Sequence, residues 1–309
     1  MTDHNIALKI LFFSQTLIGV MGNSFLLGLY IITFFAGPRL RTIDMILTHL
    51  AFVNNLVLLS KGIPQTMAAF ELNNFLDDIG CKSVFYLHRV SRGLSLCTTS
   101  LLSGFQALTI SSGNSRWAEI KTRVQKYTVP FCLFCWVLHL GTNGSILVYM
   151  KGPKGYENIT KIQDFGFCST LFNPSFTTSI SAFIISLPDA TCLILMIWAS
   201  GSMVLVLHRH RQRVQYIHNS RLFSRPSLEA RATQSILMLV SIFVYFYSFN
   251  SVLTVYVQFA KTNHLLLNVS AFLAACFPAC SPFVLIFNDS QVSKYCLTIW
   301  EKIKFPSLY

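Results

Sequence analysis

Long, nearly uncharged apolar blocks most constrain the structures that this chain can adopt. A helix of about 20 apolar residues spans the hydrocarbon core of a bilayer. Seven blocks of this kind can be read, separated by more polar segments: 6–35, 43–70, 82–111, 127–150, 178–207, 232–260 and 265–288. The sequence therefore predicts an all-α membrane protein, built as one domain of seven transmembrane helices with a tail at 289–309.

The composition agrees with a membrane protein. Of the 309 residues, 53% are hydrophobic and only 12% are charged, whereas soluble domains carry about 25% charged residues. The first apolar block begins after five residues and is too long for the apolar region of a cleavable signal peptide. We expect this block to stay in the protein as a signal anchor.

Lys and Arg are distributed unevenly between the segments that separate the blocks. The segments on one side hold fifteen of them, while those on the other side hold six together with six acidic residues. Because basic loops are retained in the cytoplasm, we expect the N-terminus outside and the C-terminus in the cytoplasm. The net charge of +12 then reflects topology and contact with the anionic lipid bilayer, and nucleic-acid binding is not expected.

Two of the nine cysteines, Cys81 and Cys168, fall in loop-like surroundings on the expected outer side. Disulfides persist in that environment, so the sequence predicts one disulfide between these two residues. The sequon that begins at Asn158 lies in the same outer loop as Cys168, where glycosylation can occur. Asn158 is therefore the predicted glycosylation site.

Beyond the first four residues of each predicted span, four charged residues lie within the spans: Lys61, Arg89, Arg92 and Asp189. Each costs about 2.5–3.5 kcal/mol on insertion scales and normally faces the bundle interior or water. Lys61 is near the outer end of its span, so we interpret it as extending to the interface. Arg92 and Asp189 lie about 15 and 16 Å from the outer surface, and we expect Asp189 to pair with Arg92 or Arg89. Such a pair either locks helix packing or belongs to a ligand site.

Polar residues also form a stripe on the third span. His88 and Arg92 are four residues apart and share a helix face, with Ser95 and Thr99 close to it. A polar stripe on an apolar span faces inward rather than toward lipid. It acts either as packing through hydrogen bonds between helices or as the floor of a pocket that opens to the outside.

The sixth span offers an aromatic set opposite this stripe, which includes Tyr245, Tyr247 and Phe249 next to Asn250. Small-molecule pockets are mostly apolar with a few placed polar groups, although aromatic clusters in membrane spans more often serve packing. The predicted ligand-binding residues are His88, Arg92, Asp189, Tyr245, Phe249 and Asn250.

No pattern in the chain indicates catalysis or a cofactor. The sequence contains no HExxH, GxSxG, Walker A or GxGxxG motif. Cys132 and Cys135 have CxxC spacing, but they lie inside a span without a second pair of ligands, so neither zinc nor another metal is expected. We expect a protein that is not an enzyme and has no cofactor.

Seven spans, an outer N-terminus and an outer cysteine pair resemble the rhodopsin-like G-protein-coupled receptors. Several motifs of that family are altered here. Asn54 follows Leu-Ala where the large family has an aspartate, and Gln106 stands where the arginine of the Asp-Arg-Tyr motif is expected. Ser281-Pro282 replaces the start of the Asn-Pro-x-x-Tyr motif, and the sixth span has no proline.

Taken together, these departures resemble the vomeronasal type 1 receptors. The stretches that carry the resemblance are SKGIPQTM at 60–67, CKSVFYLHR at 81–89, GLSLCTT at 93–99, FQALTIS at 105–111, RATQ at 231–234, and CFP at 276–278 leading into SPFVLI at 281–286. These stretches extend from the second span to the seventh, so the resemblance covers essentially the whole chain.

The resemblance implies a plasma-membrane receptor of chemosensory neurons that detects small pheromone-like molecules. It also implies signalling through a Gi/o-type heterotrimeric G protein and glycosylation at Asn158. A ligand would enter from outside among the third, fifth, sixth and seventh spans. The expected contacts with the G protein lie at the inner ends of the spans: Gln106, Arg116, Arg209, Arg213 and Arg231.

Two other functions stay open on the sequence. A bitter-taste receptor shares the seven spans but lacks the outer disulfide pair, so Cys81 and Cys168 argue against it. A small-solute transporter would show inverted repeats and helices broken near the midplane, and neither is evident in the sequence.

Overall fold

The computed structural model describes residues 2–35, 41–72, 75–111, 115–152, 162–164, 167–171, 176–217, 228–259 and 264–288. The predicted glycosylation site Asn158 and the tail at 289–309 lie outside these residues.

Long helices account for most of the described chain. They are α1 (Thr2–Phe35), α2 (Thr42–Val57), a π-helical segment (Leu58–Gly62), α3 (Ile63–Ala69), α4 (Asp78–Ser111), α5 (Ser115–Thr142), the short α6 (Ile146–Tyr149), α7 (Phe176–Ile217), α8 (Leu228–Phe259) and α9 (His264–Asn288). The π-helical segment joins α2 to α3 without a break, so the seven predicted spans correspond to α1, α2–α3, α4, α5, α7, α8 and α9.

Six helical units in the described ranges are long and apolar enough to cross a membrane: Ile6–Phe35, Thr42–Ala69, Asp78–Ser111, Glu119–Tyr149, Ser186–Arg209 and Leu266–Phe287. In α8, the apolar part found is the shorter segment Ile236–Asn250. This helix is nevertheless 32 residues long, which is about 48 Å at the rise of an α-helix and more than the roughly 30 Å of a hydrocarbon core.

The central helix of the bundle is α4. In its most apolar stretch, 67% of the residues are buried, against 17% in the most apolar stretch of the peripheral unit that contains α5. It packs against α2, α5, α7 and α8, while α9 joins α8 to α1. Small residues let the helices approach α4 closely: Gly93 is in contact with the His139 ring of α5, and a Cβ at this position would overlap that ring.

Hydrogen bonds between side chains connect the helices within the bundle. Trp136 of α5 donates from Nε1 to His49 Nε2 of α2 at 3.0 Å, and His49 Nδ1 lies 2.9 Å from Thr98 Oγ1 of α4. On the other side of α2, Asn54 accepts from Ser95 of α4 at 2.7 Å and donates to Ser281 of α9 at 2.9 Å. Because lipid offers no such partners, these polar residues stabilise the packing of α2.

A small antiparallel sheet covers one end of the bundle. Its strands are β1 (Met150–Lys151), β2 (Ile162–Asp164) and β3 (Ser169–Leu171), in the order β1-β3-β2, with Thr170 opposite both Met150 and Gln163. The expected disulfide between Cys81 and Cys168 is present and fixes this sheet to the start of α4. Its Cα atoms are 5.8 Å apart, which is an ordinary separation for a disulfide.

Candidate functional site

The candidate site follows one face of α4 from the disulfide end into the bundle. Phe85, His88, Arg92 and Ser95 are spaced by three or four residues, so their side chains align on one face of the helix. The four residues line two cavities. Phe85 and His88 line the first, and Arg92 and Ser95 line the second. The stripe identified in the sequence therefore borders open space inside the bundle.

The first cavity has a volume of about 130 Å³ and lies between α4, α9 and the second span. Its polar lining residues are Ser60, Lys61, Gln65, His88, Asn268 and Ser270. Its apolar lining residues are Val84, Phe85, Phe167, Leu267 and Ala271. A cavity in which apolar walls and several polar groups converge has the form of a small-molecule site.

Phe167 covers this cavity from the side of the sheet. The residue precedes Cys168, and its ring centroid lies 5.9 Å from that of Phe85 on α4 and 6.0 Å from that of Phe75. Together with Cys81, these residues form a small apolar cluster of their own at the end of the bundle. The disulfide therefore positions one wall of the cavity.

The π-helical segment brings Lys61 to the cavity. Pro64 has no N–H and cannot donate to the carbonyl of Ser60, which interrupts the regular ladder of the second span. A π-helical turn holds an extra residue, and such turns are frequent at functional sites. Ser60, Lys61 and Gln65 all line the cavity as a result. The structure therefore places Lys61 on the cavity wall and not at the membrane interface, where the sequence analysis placed it.

His88 is the most enclosed polar residue on the α4 side of this cavity. Its side chain is 8% exposed, and within the described chain its Nδ1 atom has no hydrogen-bond partner. Across the cavity, Gln65 Nε2 donates to Asn268 Oδ1 at 3.0 Å, which links the second span to α9. The site therefore contains one satisfied amide pair and one imidazole nitrogen that a ligand could engage.

The second cavity is smaller, about 30 Å³, and lies about one helical turn further along α4 and α9. Arg92 and Ser95 line it from α4, while Phe243, Tyr247 and Asn250 line it from α8. Asn250 is buried and accepts a hydrogen bond from Ser270 Oγ of α9 at 2.8 Å. Since Ser270 also lines the first cavity, the two spaces share a wall.

The predicted ion pair between Asp189 and Arg92 or Arg89 is replaced by a contact through Tyr247. The guanidinium carbon of Arg92 lies 4.7 Å from the centroid of the Tyr247 ring. The hydroxyl of Tyr247 donates to Asp189 Oδ2 at 2.9 Å. Neither arginine forms a direct ion pair with Asp189 in the described chain, and Arg89 Nε points instead to Asn143 Oδ1 at 3.5 Å. The similar depths of Arg92 and Asp189 in their spans correctly predicted that the two residues lie near each other. Depth alone could not show that the Tyr247 ring lies between them.

Tyr245 and Phe249, both predicted to bind ligand, lie apart from the two cavities. They are 64% and 47% exposed, and their rings stack on each other with centroids 6.4 Å apart. At about 100° per residue, positions 245 and 249 share a face that is different from the face of Phe243, Tyr247 and Asn250. The sequence reasoning missed Phe243 and Lys61 as lining residues, although both were visible as an aromatic and a charge within a span.

The predicted G-protein contacts are only partly described. Gln106 is buried, with 4% of its side chain exposed, while Arg209 is exposed on α7. The side chains of Arg116, Arg213 and Arg231 lie outside the described residues. The contact surface for a G protein therefore stays a prediction.

Thiols gather where α4, α5 and α7 meet. Cys97 Sγ lies 3.1 Å from Cys192 Sγ and 3.3 Å from His139 Nε2. Among the residues whose placement is described, no group of His, Cys, Asp or Glu is arranged to hold a metal ion. Cys97 and Cys192 are buried in the main apolar core, where a free thiol packs as a small apolar side chain.

The bundle matches a known membrane-receptor fold. The crystal structure of squid rhodopsin superposes with a TM-score of 0.72, and the match covers 100% of this chain and 89% of that chain. The two sequences are 13% identical, so this likeness shows the fold alone. It defines the class of protein by its fold, which is a rhodopsin-like bundle of membrane-spanning helices.

The family follows from the sequence comparisons. The model of the vomeronasal organ pheromone receptor family matches residues 6–298. Vomeronasal type-1 receptor 4 of Pongo pygmaeus is 47% identical over 290 residues, covering 94% of this chain and 96% of the relative. The chain belongs to the vomeronasal type 1 receptor family, and its place is the plasma membrane.

Two further relatives agree. Vomeronasal type-1 receptor 1 of Gorilla gorilla gorilla is 46% identical over 299 residues, which is 96% of this chain and 84% of the relative. Olfactory receptor class A-like protein 1 of Danio rerio is 30% identical over 283 residues, covering 91% and 89%. This membership agrees with the receptor function and not with the transporter that the sequence left open.

Proposed function

We propose that the protein is a chemosensory receptor that binds a small pheromone-like molecule in the first cavity and activates a Gi/o-type heterotrimeric G protein. The observation that carries the proposal is the cavity itself, which is enclosed by three helical units of a pheromone-receptor bundle. The proposal places the N-terminus and the disulfide-linked sheet outside the cell. The predominance of Lys and Arg in the opposite set of segments supports this orientation.

The contact through Tyr247 gives the proposed ligand a way to act on the bundle. Arg92, Tyr247 and Asp189 belong to α4, α8 and α7, and they lie directly beyond the first cavity. A ligand can shift a conformational equilibrium only by binding one state better than another. Occupation of the cavity would favour the conformation in which Arg92 and α8 accommodate the ligand. The resulting movement would be transmitted along α8.

The opposite ends of α4, α7 and α8 would then meet the G protein. Gln106 occupies the position of an arginine that other rhodopsin-like receptors use there, and a neutral amide cannot form the ion pair of that arginine. Because Gln106 is buried, the proposal assigns it to packing at rest and to the G-protein interface after activation. Arg209, Arg116, Arg213 and Arg231 would supply the positive charge of the interface.

Heterologous expression with a cyclic-AMP readout of Gi/o activity tests this function. Cells that carry the receptor are exposed to a panel of small volatile molecules, with pertussis toxin as the block of Gi/o coupling. Ala271 is buried and lines the first cavity, so Ala271→Leu fills it and should abolish the response. Val269→Leu adds one methylene on an exposed face of the same helix and serves as the matched control.

A response that survives Ala271→Leu at normal surface expression would contradict the proposed cavity. A response that is insensitive to pertussis toxin would contradict Gi/o coupling alone. The two parts of the proposal are therefore tested separately.

A further inference from the structure

Two free thiols of different helices are in contact inside the bundle. Cys97 of α4 and Cys192 of α7 are 95 residues apart in the sequence, and their Sγ atoms lie 3.1 Å from each other. The sulfurs of a disulfide are separated by about 2.05 Å, so an approach of about 1 Å would bring these two to bonding distance. Neither cysteine lines one of the two cavities. The proposed ligand binding therefore does not use this pair.

His139 of α5 supplies a proton acceptor beside the pair. Its Nε2 atom lies 3.3 Å from the Sγ atom of Cys97, and its side chain is buried. In the tautomer that carries its proton on Nδ1, Nε2 accepts the hydrogen of the thiol. Since the thiolate, and not the thiol, is the nucleophile in cysteine chemistry, His139 can activate Cys97. This neighbour distinguishes Cys97 from a thiol that only packs.

The spacing of the sulfurs favours oxidation over metal binding. Two thiolates on a tetrahedral zinc ion, each at about 2.3 Å from the metal, are separated by about 3.8 Å. The sulfurs of Cys97 and Cys192 are closer than that. Within the described chain, no group of His, Cys, Asp or Glu has the arrangement of a metal site. Two sulfurs in contact, with a proton acceptor next to one of them, are instead arranged to form a disulfide.

We propose that Cys97 and Cys192 are a redox-sensitive dithiol, which a neutral hydroperoxide converts into a disulfide between α4 and α7. The Cys97 thiolate attacks the O–O bond and becomes a sulfenic acid, while the rest of the peroxide leaves as an alcohol. His139 takes the proton of Cys97 and delivers it to the departing oxygen. Cys192 then attacks the sulfenic sulfur, and the displaced hydroxide leaves as water with the Cys192 proton. Two thiols are oxidised, and one hydroperoxide is reduced.

The surroundings of Cys192 indicate that the oxidant arrives from the lipid. The side chain of Cys192 is buried, but its neighbours Ile194 and Leu195 are exposed on the surface of the bundle. In the most apolar stretch of the unit that contains them, Ser186–Arg209, only 22% of the residues are buried. Lipid covers such a surface in a membrane. A neutral, apolar hydroperoxide dissolves in lipid, whereas a charged oxidant is excluded from it.

A disulfide at this position would act on the bundle through α7. Asp189 lies three residues before Cys192, about one helical turn away, and its carboxylate accepts from Tyr247 of α8. The crosslink would hold α7 against α4 beside this contact and would stabilise the described conformation. Because signalling requires a shift between conformations, the crosslinked protein should respond less to ligand. The disulfide itself is independent of the proposed receptor function, and only its effect on signalling rests on that function.

The crosslink is measured on the purified full chain in lipid vesicles, without a G protein. The protein is treated with cumene hydroperoxide, denatured, alkylated and digested without reductant, and mass spectrometry detects the peptides that are joined. The natural protein should yield a peptide pair that joins Cys97 to Cys192 and that separates when the digest is reduced. His139→Gln, which keeps a polar side chain but removes the base, should form the pair about a hundredfold more slowly. Cys276→Ser changes a buried free cysteine of α9 and should behave like the natural protein.

Absence of the joined peptides from the treated natural protein would overturn the inference. A pair that joins Cys97 to Cys135, another buried cysteine of the same core, would overturn it as well. An unchanged rate in His139→Gln would contradict the role of His139 as the proton acceptor.

The effect on signalling is measured separately, in cells with the cyclic-AMP readout. Cumene hydroperoxide should reduce the ligand-evoked response of the natural protein, but not that of Cys192→Ser or Cys97→Ser at matched surface expression. An undiminished response of protein that is shown to be crosslinked would overturn the regulatory effect. Formation of the crosslink in a protein that gives no response to any ligand would contradict only the proposed receptor function.

Discussion

At the scale of single residues, Tyr247 joins the charges that the sequence placed inside the bundle. Its ring faces the Arg92 guanidinium, and its hydroxyl donates to the Asp189 carboxylate. A cation over an aromatic ring is stabilised by roughly 0.5–2 kcal/mol, with the larger values where water is excluded. Tyr247 therefore stabilises both buried charges, as a direct ion pair between Arg92 and Asp189 would.

Tyr247→Phe removes the hydroxyl and leaves the ring under Arg92. Hydrogen bonds between transmembrane helices contribute about 0.6 kcal/mol on average and about 1.7 kcal/mol at most. Because the acceptor here is a carboxylate, we expect a loss of about 1–1.7 kcal/mol in the free energy of unfolding, together with altered basal signalling. Both are measured on matched preparations, by unfolding of the purified protein and by cyclic-AMP levels without ligand.

Tyr245→Phe is the control for this substitution, since Tyr245 lies two residues away and is exposed. It should leave stability and basal signalling unchanged. An equal effect of the two substitutions would show that the hydroxyl of Tyr247 is not specifically engaged with Asp189.

The polar face of α4 could be predicted from spacing, whereas the inward face of α8 could not. His88 and Arg92 stand out because nearly all their neighbours are uncharged. In α8, aromatic residues point in every direction: Phe243 and Tyr247 face the second cavity, and Tyr245 and Phe249 are exposed. When both faces carry the same residue types, the sequence holds no signal that selects one of them.

At the scale of helices, Asn54 links three of them near the centre of the bundle. It accepts from Ser95 of α4 and donates to Ser281 of α9, and the whole side chain is buried. Asn55 is also buried, but within the described residues its side chain makes one hydrogen bond to another helix, to Ser24 of α1 at 3.2 Å. The two neighbouring asparagines therefore differ in how many helices they hold.

Asn54→Leu should destabilise the protein more than Asn55→Leu. The first substitution removes two hydrogen bonds between helices, each of about 0.6–1.7 kcal/mol, and leaves two buried hydroxyls with one partner fewer. The second removes one bond and also removes an Oδ1 atom that has no partner in the described chain. Unfolding midpoints in detergent measure the order, and a reversed order would contradict the assignment of Asn54 as the central link.

Helix ends were harder to predict than helix positions. The last apolar block predicts a span at 265–288, which agrees with α9 at His264–Asn288. The fifth block was read as 178–207, but α7 continues to Ile217 through a basic segment. Apolarity reports where lipid is, not where the helix ends, because a helix can extend beyond the bilayer. The strands β1 to β3 have two or three residues each, which is too short for an alternating pattern to be recognised.

At the scale of the whole molecule, the disulfide ties a distant segment to the central helix. Cys81 and Cys168 are 87 residues apart in the sequence. Crosslinks that close loops of this length stabilise a protein by roughly 4–5 kcal/mol in the chain-entropy account. The disulfide also holds Phe167 over the first cavity, so the stability of the bundle and the shape of this cavity depend on the same bond.

Cys81→Ser and Cys168→Ser should therefore each lower surface expression strongly, and the double variant should be no worse than either single one. Residual protein should unfold at lower denaturant concentration. Cys280→Ser changes an exposed free cysteine and should behave like the natural protein. Additive losses in the double variant would show that the two thiols contribute independently, against their acting as one disulfide.

Two independent features predict the same orientation of the bundle in the membrane. Of the segments between the apolar blocks, the set that the sequence assigns to the side of Cys81 and Cys168 holds six lysines and arginines, and the other set holds fifteen. Basic segments are retained in the cytoplasm. Disulfides, in turn, persist outside the cell. We predict that an epitope tag before Thr2 is labelled by antibody on intact cells and that a tag after Tyr309 is labelled only after permeabilisation. The opposite pattern would place the cavity opening in the cytoplasm and would contradict detection of external molecules, because the first cavity lies beside Phe167 at the disulfide end.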